Sequence, residues 1–223
     1  IKKTPIVVDD QWGFFAARVQ NTYILEGITM LLEGYAPALI ENLGKMAGMP
    51  KGPLQLADEF SLKLIRNYEA QAAEHYGPKY IQHPAVEALE KMINDLERPG
   101  GKSKPGFYDP ATEGMPAIWS ALTDHFPTVE VEPNLEELTQ RLLVAQVLEA
   151  LWCLQERVVN SIPEVNLGSV FGWGFPAYTG GVIQFIDRLG EAQFLALCRN
   201  LEHRFGPRFK VPSILKKGLL AGK

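Results

Sequence analysis

The spacing of the apolar residues limits this chain to a mainly helical fold. Along most of its 223 residues, apolar side chains recur three and four positions apart, which is the period of an amphipathic helix. Only residues 5–8 (PIVV) look extended. The pattern is clearest over residues 15–33, whose apolar side consists mainly of Val19, Tyr23, Leu25, Ile28, Leu31 and Leu32. We therefore predict an all-α fold.

Glycine and proline mark the expected ends of the helices in the first half of the chain. Gly34 follows the first helix in the manner of a C-terminal glycine. Proline suits the first turn of a helix, where its missing N–H would have no partner. On this basis we predict helices over residues 37–47, 53–76 and 84–96.

The second half of the chain begins with a polar cap. Asn134 is followed three residues later by Glu137, in the manner of a capping box. This predicts a long helix that ends near Val158. The preceding residues 98–110 (RPGGKSKPGFYDP) have the composition of a loop.

Two halves of the chain carry similar patterns in the same order. Aligning Arg18 with Arg141 places Glu26 on Glu149, and a Leu precedes each Glu. The spacing from Arg to Glu is the same in both halves. Such self-similarity indicates a repeated structural unit.

The similarity continues downstream of these helices. The stretches LGKMAGMP and LGSVFGWGFP share the pattern L-G-x-x-x-G, and glycine-containing turns then lead to helices that hold Asp58 and Asp187. We interpret the chain as one helical unit used twice. We expect a first repeat at residues 1–110, a connector at 111–133 and a second, degenerate repeat at 134–223.

One motif formally matches a dinucleotide-binding turn. GWGFPA, which begins at Gly172, fits G-x-G-x-x-G/A, a pattern that binds pyrophosphate when a strand precedes it and a helix follows. The preceding residues PEVNLGSVF are no β-run, and the counterpart AGMPKGP has no G-x-G. We interpret both stretches as tight connections between helices and predict no cofactor-binding residue in this chain.

Charge and hydropathy narrow the class of partner. With 22 Lys and Arg against 26 Asp and Glu, the net charge of -4 gives no basic surface for nucleic acid. No apolar run is long enough to span a bilayer, and the N-terminus has no apolar core like that of a signal peptide. We expect a soluble, intracellular protein. Because position 1 is Ile, we also expect a longer chain upstream.

Side chains that could carry chemistry are scattered. The four histidines show no metal-ligand spacing, and the two cysteines lie among apolar residues as buried thiols would. We predict no metal site and no catalytic residue. Glu26 and Glu149 lie on otherwise apolar helices, where a buried carboxylate of raised pKa is one interpretation. We favour a capping or inter-helix hydrogen bond. The histidines are His75, His83, His125 and His203, and the cysteines are Cys153 and Cys198.

Taken together, several phrases resemble a known family. These are VVDDQWGFFAARV, LLEGYAPALIENLGKMAGMPKGPLQLADEFSL, KSKPGFYD and NLGSVFGWGFPAYTGGVIQFID. Their order resembles the C-terminal helical region of 3-hydroxyacyl-CoA dehydrogenases, over nearly the whole chain. Two copies resemble the multifunctional type, the alpha subunit of the fatty-acid oxidation complex.

The resemblance implies a fold and a division of labour. The fold would be a duplicated helical domain of the 6-phosphogluconate dehydrogenase C-terminal-like type. In that family a preceding Rossmann domain supplies the NAD site and a catalytic His with a partnering Glu. The His takes the hydroxyl proton of the 3-hydroxyacyl-CoA while a hydride passes to nicotinamide. NAD would therefore be bound outside this chain.

The resemblance also implies partners and a location. We expect this chain to act on an acyl-CoA substrate in fatty-acid β-oxidation, with N-terminal Rossmann and enoyl-CoA hydratase domains in the same protein and a thiolase subunit alongside. The location would be cytoplasmic in a bacterium or the mitochondrial matrix in a eukaryote.

Six residues are candidates for substrate binding on the resemblance alone. Phe14, Phe15 and the Gly52–Pro53 turn would lie nearest the acyl-CoA. The family pattern G-F-x-x-N-R reads GFFAAR here, so Ala17 replaces an Asn whose amide contacts the substrate. Phe171 matches a position that is Tyr in some relatives and touches substrate there; the alternative is a core aromatic at a helix end.

Two other functions remain open. One is a non-catalytic helical dimerisation or scaffold module that shares the duplicated design. The other is the helical domain of a different NAD-dependent hydroxyacid dehydrogenase, which would lack the GFYD and GWGFPAYTGG phrases. Fold alone does not separate these from a dehydrogenase.

Overall fold

The computed structural model describes residues 5–101, 104–111, 114–130 and 132–216. It confirms the all-α prediction apart from one small hairpin. The α-helices of the first half are α1 (Phe15–Leu32), α2 (Pro37–Met46), α3 (Pro53–Phe60), α4 (Leu62–Tyr76), α5 (Ala85–Glu90) and α6 (Leu122–His125). Those of the second half are α7 (Leu135–Gln155), α8 (Ile162–Trp173), α9 (Val182–Leu189), α10 (Glu191–Phe205) and α11 (Ser213–Lys216).

Shorter elements connect these helices. 3-10 turns cover Gly77–Lys79, Ala177–Thr179 and Pro207–Phe209, and α5 continues into a π-helical turn at Lys91–Asp95. Strands β1 (Tyr108–Asp109) and β2 (Ala117–Ile118) pair antiparallel, with Tyr108 opposite Ile118. The sequence had predicted only a loop over residues 98–110. A strand of two residues is too short to leave a periodic pattern.

The first helix ends as its glycine predicts. Gly34 adopts φ +87°, its N–H bonds the carbonyl of Leu31, and the Tyr35 N–H bonds the carbonyl of Met30. This pair of bonds is the Schellman motif, which requires a left-handed residue after the last turn. A Cβ at Gly34 would also lie 2.8 Å from the Val129 side chain.

One predicted helix is wrong. Residues 53–76 form two helices, not one, because the chain turns at Ser61, which adopts φ +77°. At this point the Leu62 N–H and the Ser61 hydroxyl both donate to the Pro99 carbonyl. A contact with a residue nearly forty positions away therefore interrupts the helix, and no local Gly or Pro announces it.

The extended prediction for residues 5–8 is also not matched by a strand, since these residues have no regular secondary structure. The cap at Asn134 is confirmed, because its side-chain Oδ1 accepts the Glu137 N–H at 3.1 Å. The long helix that follows ends at Gln155, close to the predicted end.

The chain divides into two compact units. Unit 1 combines residues 1–22 with 140–223, and unit 2 consists of residues 23–139. Both α1 and α7 contribute residues to each unit. The core of unit 1 includes Phe15, Val19, Leu142, Leu148, Leu151, Val165, Trp173, Ile183, Ile186, Phe194, Cys198 and Phe209. The core of unit 2 includes Tyr23, Ile28, Leu31, Ile40, Leu43, Leu54, Leu62, Leu89, Met92, Phe107 and Leu122.

Of the helices in the described part of the chain, none has the length and apolar character to cross a bilayer.

Candidate functional site

A strained turn precedes α1 in unit 1. Gly13 adopts φ +73° and Phe14 adopts φ +50°, so two consecutive residues lie in the left-handed region. Gly tolerates this conformation, whereas Phe there is unfavourable. The Phe14 ring is nevertheless 52% exposed and so gains little from packing. The turn therefore presents an aromatic side chain at the surface at a conformational cost.

Arg18, one turn farther along α1, is held by two carboxylates of unit 1. Its Nε and Nη2 both donate to Oε1 of Glu149, at 2.8 and 2.6 Å. Its Nη1 donates to Oε2 of Glu156 at 2.8 Å. The guanidinium is almost fully buried, and its Cζ lies 5.1 Å from the centre of the Trp12 ring. Because the guanidinium is a planar fork of donors, these contacts fix its orientation.

The Glu149 carboxyl lies in an environment of opposing influences. Burial raises the pKa of Glu149, whereas the charge of Arg18 and its hydrogen bond lower it. The favoured prediction of an inter-helix hydrogen bond is confirmed for this residue, and the raised pKa of the other interpretation applies as well. Glu26, its counterpart in the sequence, is fully buried.

The first residue of α1 is part of the core. Phe15 is buried, and its ring meets that of Trp173 edge to face with centroids 5.3 Å apart. The indole Nε1 of Trp173 donates to Oε1 of Gln146 at 2.9 Å. A Cβ at Gly168 would lie 3.2 Å from the Phe15 ring. The glycine of the L-G pattern therefore permits close packing of α8 on α1.

At the end of α8 a second aromatic residue is exposed. Phe171 is 76% exposed, so the alternative that it is a core aromatic is wrong. The next residue, Gly172, has the Ala16 side chain as its nearest neighbour, 3.8 Å from an ideal Cβ. The end of α8 that carries Phe171 thus lies against the start of α1, which Phe14 directly precedes and which includes Ala17. Ala17 itself is half-buried.

The GWGFPA motif lies in a helical context, which confirms our interpretation of a connection between helices. The residues before Gly172 belong to α8, and not to a strand. Gly174 ends the helix in the left-handed conformation at φ +78°. A dinucleotide turn needs the reverse order, a strand before the glycines and a helix N-terminus after them.

The Gly52–Pro53 turn lies in unit 2 and has a clear structural role. Oε1 of Glu41 accepts the N–H groups of Leu54 and Gln55, at 2.7 and 3.3 Å, and so caps the N-terminus of α3. A Cβ at Gly52 would lie 2.3 Å from this carboxylate. Glycine is therefore required for Glu41 to reach the helix end.

Pro53 fills the space left by two other glycines. A Cβ at Gly27 would lie 2.3 Å from its ring, and one at Gly44 would lie 3.3 Å from it. A Cβ at Gly44 would also approach the hydroxyl of Tyr23, which donates to the Lys51 carbonyl at 2.8 Å. Both Gly52 and Pro53 are buried.

A second carboxylate in unit 2 binds the segment that the sequence showed as a loop. Oδ1 and Oδ2 of Asp58 accept the N–H groups of Phe107 and Tyr108, at 2.9 and 2.8 Å. The Tyr108 hydroxyl in turn donates to Oε2 of Glu41 at 2.7 Å. We call these three residues, Glu41, Asp58 and Tyr108, the carboxylate tether.

Burial dominates the electrostatics of the carboxylate tether. It raises the pKa of Asp58 to about 7, against the lowering effect of the two backbone hydrogen bonds and of Arg98. It also raises the pKa of Glu41, where the bonds from Tyr108, Leu54 and Gln55 oppose it. Arg98 is engaged by the same segment, since it donates to the carbonyl of Gly106 and to Asp109. This network fastens β1 to α2 and α3.

The six predicted substrate-binding residues are therefore not equivalent in the structure. Phe14, Ala17 and Phe171 lie in unit 1 with exposed or half-buried side chains, whereas Phe15 is in its core. Gly52 and Pro53 belong to unit 2. Their roles toward substrate remain predictions.

Sequence reasoning missed Glu156 and the carboxylate tether. Glu156 follows the last turn of a long helix, where a solvated charge is the usual expectation. Asp58 and Tyr108 had appeared only as parts of the repeat and of the GFYD phrase. Glu149, in contrast, was found because an acidic residue within an apolar helix requires a buried polar partner.

The cysteines and His83 have structural environments of an ordinary kind. Both cysteines are buried free thiols, as predicted, and burial raises the pKa of Cys198 to about 12. Nδ1 of His83 accepts the nearby Ala85 N–H at 3.3 Å. Within the described ranges, no group of three or more His, Cys, Asp or Glu side chains is arranged to hold a metal ion.

Comparisons with known proteins agree with this description. Residues 13–110 match the family described as 3-hydroxyacyl-CoA dehydrogenase, C-terminal domain. The chain is 33% identical to the fatty acid oxidation complex subunit alpha of Shewanella halifaxensis (strain HAW-EB4), in an alignment that covers 96% of this chain. It spans only 30% of the length of that curated relative.

A solved structure shares the fold. The chain superposes on the crystal structure of 3-hydroxybutyryl-CoA dehydrogenase from Escherichia coli K12 with a TM-score of 0.72, covering 98% of this chain and 62% of the other. The sequence identity is 19%, so this likeness supports the fold alone.

Proposed function

We propose that the chain is the substrate-side and assembly region of a 3-hydroxyacyl-CoA dehydrogenase. Support comes from residues 13–110, which match the C-terminal domain family of these dehydrogenases. The reaction is the NAD-dependent oxidation of a 3-hydroxyacyl-CoA to a 3-ketoacyl-CoA in fatty-acid β-oxidation. The observation that carries the proposal is the alignment of 96% of the chain with a fatty acid oxidation complex alpha subunit.

The contribution of this chain is one wall of the acyl-CoA site. Support comes from the exposed rings of Phe14, directly before α1, and Phe171, near the end of α8. These two segments approach each other at Ala16 and Gly172. Apolar side chains held by a rigid scaffold can orient an acyl chain and exclude water from it. NAD is bound by a Rossmann domain elsewhere in the intact protein, which also carries the catalytic His and Glu.

The proposal extends to partners and location. As the family resemblance implies, the intact protein holds an enoyl-CoA hydratase domain and associates with a thiolase subunit. It acts in the cytoplasm of a bacterium, or in the mitochondrial matrix of a eukaryote.

We also propose that the two halves of the chain arose by duplication, with repeats at residues 1–110 and 134–223. Support comes from the order of elements. The set α1 to α4 is followed by the 3-10 turn Gly77–Lys79, and the set α7 to α10 by the 3-10 turn Pro207–Phe209, which Gly206 precedes. In the second set, Oδ1 of Asn166 accepts the N–H groups of Ile183 and Gln184 at the start of α9. Glu41 makes the same kind of cap on α3.

Intrinsic fluorescence tests whether NAD binds outside this chain. The chain contains Trp12, Trp119, Trp152 and Trp173, which report on ligand binding. We expect no binding of NADH to the chain alone and weak or no binding of acetoacetyl-CoA. Saturable NADH binding to the chain alone would overturn the assignment of NAD to another domain. An intact protein that fails to oxidise any 3-hydroxyacyl-CoA would instead favour the scaffold function.

A further inference from the structure

Glu149 and Glu156 do more in this structure than neutralise a buried arginine. The segment before α1 is bound to the end of α7 at several points. The Asp9 N–H donates to the Val158 carbonyl at 2.9 Å, and Nε2 of Gln11 donates to the Glu156 carbonyl at 3.3 Å. Together with the side-chain contacts of Arg18, these bonds fasten both sides of the Gly13–Phe14 turn to α7.

The end of α7 is itself held in a defined shape. Arg157 adopts φ +61°, and the Val158 N–H bonds the Cys153 carbonyl in the pattern of a Schellman motif. This conformation is unfavourable for a residue other than glycine. Phe14, in the Gly13–Phe14 turn, has the same kind of strain. One strained residue, Phe14, thus precedes Arg18 by four positions, and the other, Arg157, directly follows Glu156. Strain of this kind persists where surrounding contacts over-determine the backbone, and it is concentrated at functional sites.

Packing alone does not require this arrangement. Phe14 is 52% exposed, so its strained conformation is not offset by burial of the ring. A glycine at position 14 would allow the same backbone without strain. The distinctive result of the arrangement is that an aromatic ring is displayed at a fixed place beside α8.

We propose that Glu149 and Glu156 are positioning residues for substrate binding. Through their side-chain bonds to Arg18, they hold the start of α1 and the Gly13–Phe14 turn before it, so that the Phe14 ring meets the acyl-CoA. This inference rests on the proposed function. Glu149 and Glu156, in the second half of the chain, thus set the position of Phe14, the substrate-contacting residue in the first half.

The test uses the intact protein, assayed with a 3-hydroxyacyl-CoA and NAD. We expect Glu156→Ala to lower kcat/KM for the acyl-CoA by roughly tenfold, mainly through KM, because a displaced binding group weakens productive contact. The KM for NAD should not change. Glu156→Gln should have a smaller effect, about threefold, because its amide oxygen can still accept from Arg18 but without charge.

A matched control and a second substitution separate this role from stability. Glu90→Gln removes the carboxylate of another Arg–Glu pair, with Arg66 in unit 2, and should leave both KM values unchanged. Phe14→Gly relieves backbone strain, so we expect an equal or higher melting temperature together with a raised KM for the acyl-CoA.

The outcomes are distinguishable. If Phe14→Gly raises the KM for the acyl-CoA but neither Glu156 variant does, the positioning inference is wrong and the proposed function stands. If Phe14→Gly also leaves that KM unchanged, the proposed wall at Phe14 is wrong as well. Should Glu156→Ala fail to fold, Glu156→Gln decides, since it keeps the size and an acceptor oxygen of the original side chain.

Discussion

Ala17 is the third residue of α1, next to the Ala16 side chain that faces Gly172. Its methyl group cannot donate a hydrogen bond, although the family pattern has Asn here. Under the proposed function, groups other than residue 17 orient the substrate, and the exposed rings of Phe14 and Phe171 are the candidates.

The substitution Ala17→Asn in the intact protein tests this. We expect turnover to fall or stay unchanged, because the proposed site has groups other than this amide to orient the substrate and because Asn is a poorer helix former than Ala. The measurement is kcat with a 3-hydroxyacyl-CoA. A rise approaching the order of 10² would contradict the prediction, since that is the contribution expected of a well-placed polarising donor.

Asp58 shows how burial competes with hydrogen bonding at a single residue. Its carboxylate accepts two backbone N–H groups, yet burial raises its pKa to about 7. The folded state therefore binds a proton between about pH 4 and pH 7 that the unfolded chain has released.

The sign of the pH dependence follows from this difference. The contribution of Asp58 is most favourable at low pH, and the free energy of unfolding falls as pH rises toward 7. Asp58 can change the free energy of unfolding by at most about 1.4 kcal/mol for each pH unit. We expect Asp58→Asn to abolish this dependence. Chemical denaturation of both proteins at pH 5 and pH 8 measures it. The prediction would be contradicted if the difference in free energy of unfolding between the wild-type and variant proteins were the same at pH 5 and pH 8.

At the scale of elements, each half of the chain uses a side chain of one helix to cap the next. Glu41 of α2 caps α3, and Asn166 of α8 caps α9. In each case the helix follows a glycine, Gly52 or Gly181, where an ideal Cβ would lie 2.3 or 2.6 Å from the capping residue. The cap in the first half has an additional partner, the Tyr108 hydroxyl.

Two substitutions at Glu41 separate shape from charge. Glu41→Gln can keep its oxygen on α3 and face Tyr108 with its amide, so we expect a loss of less than about 1 kcal/mol. Glu41→Ala leaves buried N–H groups unsatisfied and should cost about 2–4 kcal/mol. Thermal unfolding of the two variants measures this. Equal losses would show that the carboxylate does not act as the cap.

At the scale of the whole molecule, the division into units does not follow the order of the chain. Unit 1 takes residues 1–22 from the beginning and residues 140–223 from the end. Its core includes Phe15 against Trp173, and its buried Arg18 pairs with Glu149. The second half of the sequence therefore lacks part of its own core.

Expression of residues 134–223 alone tests this dependence. We expect little cooperative unfolding and reduced helix content, because Trp173 loses its partner ring and Glu149 its counter-charge. Addition of a peptide that covers residues 1–22 should restore helix content, as measured by circular dichroism. If residues 134–223 fold cooperatively alone, the prediction is wrong.

Several features of this protein could be read from its sequence because their causes are local. The period of α1, the glycine after it and the Asn134 cap act within a few residues. The family resemblance is of the same kind, since it rests on ordered phrases. The family match confirms it over residues 13–110.

The tertiary structure decided the rest because the causes are distant in the chain. The break at Ser61 depends on the Pro99 carbonyl, and the role of Gly52 depends on Glu41. Arg18 meets carboxylates more than 130 residues away, which no window of sequence can register. Local periodicity determines which segments are helical, whereas the buried polar contacts between segments determine where helices break and which side chains are displayed.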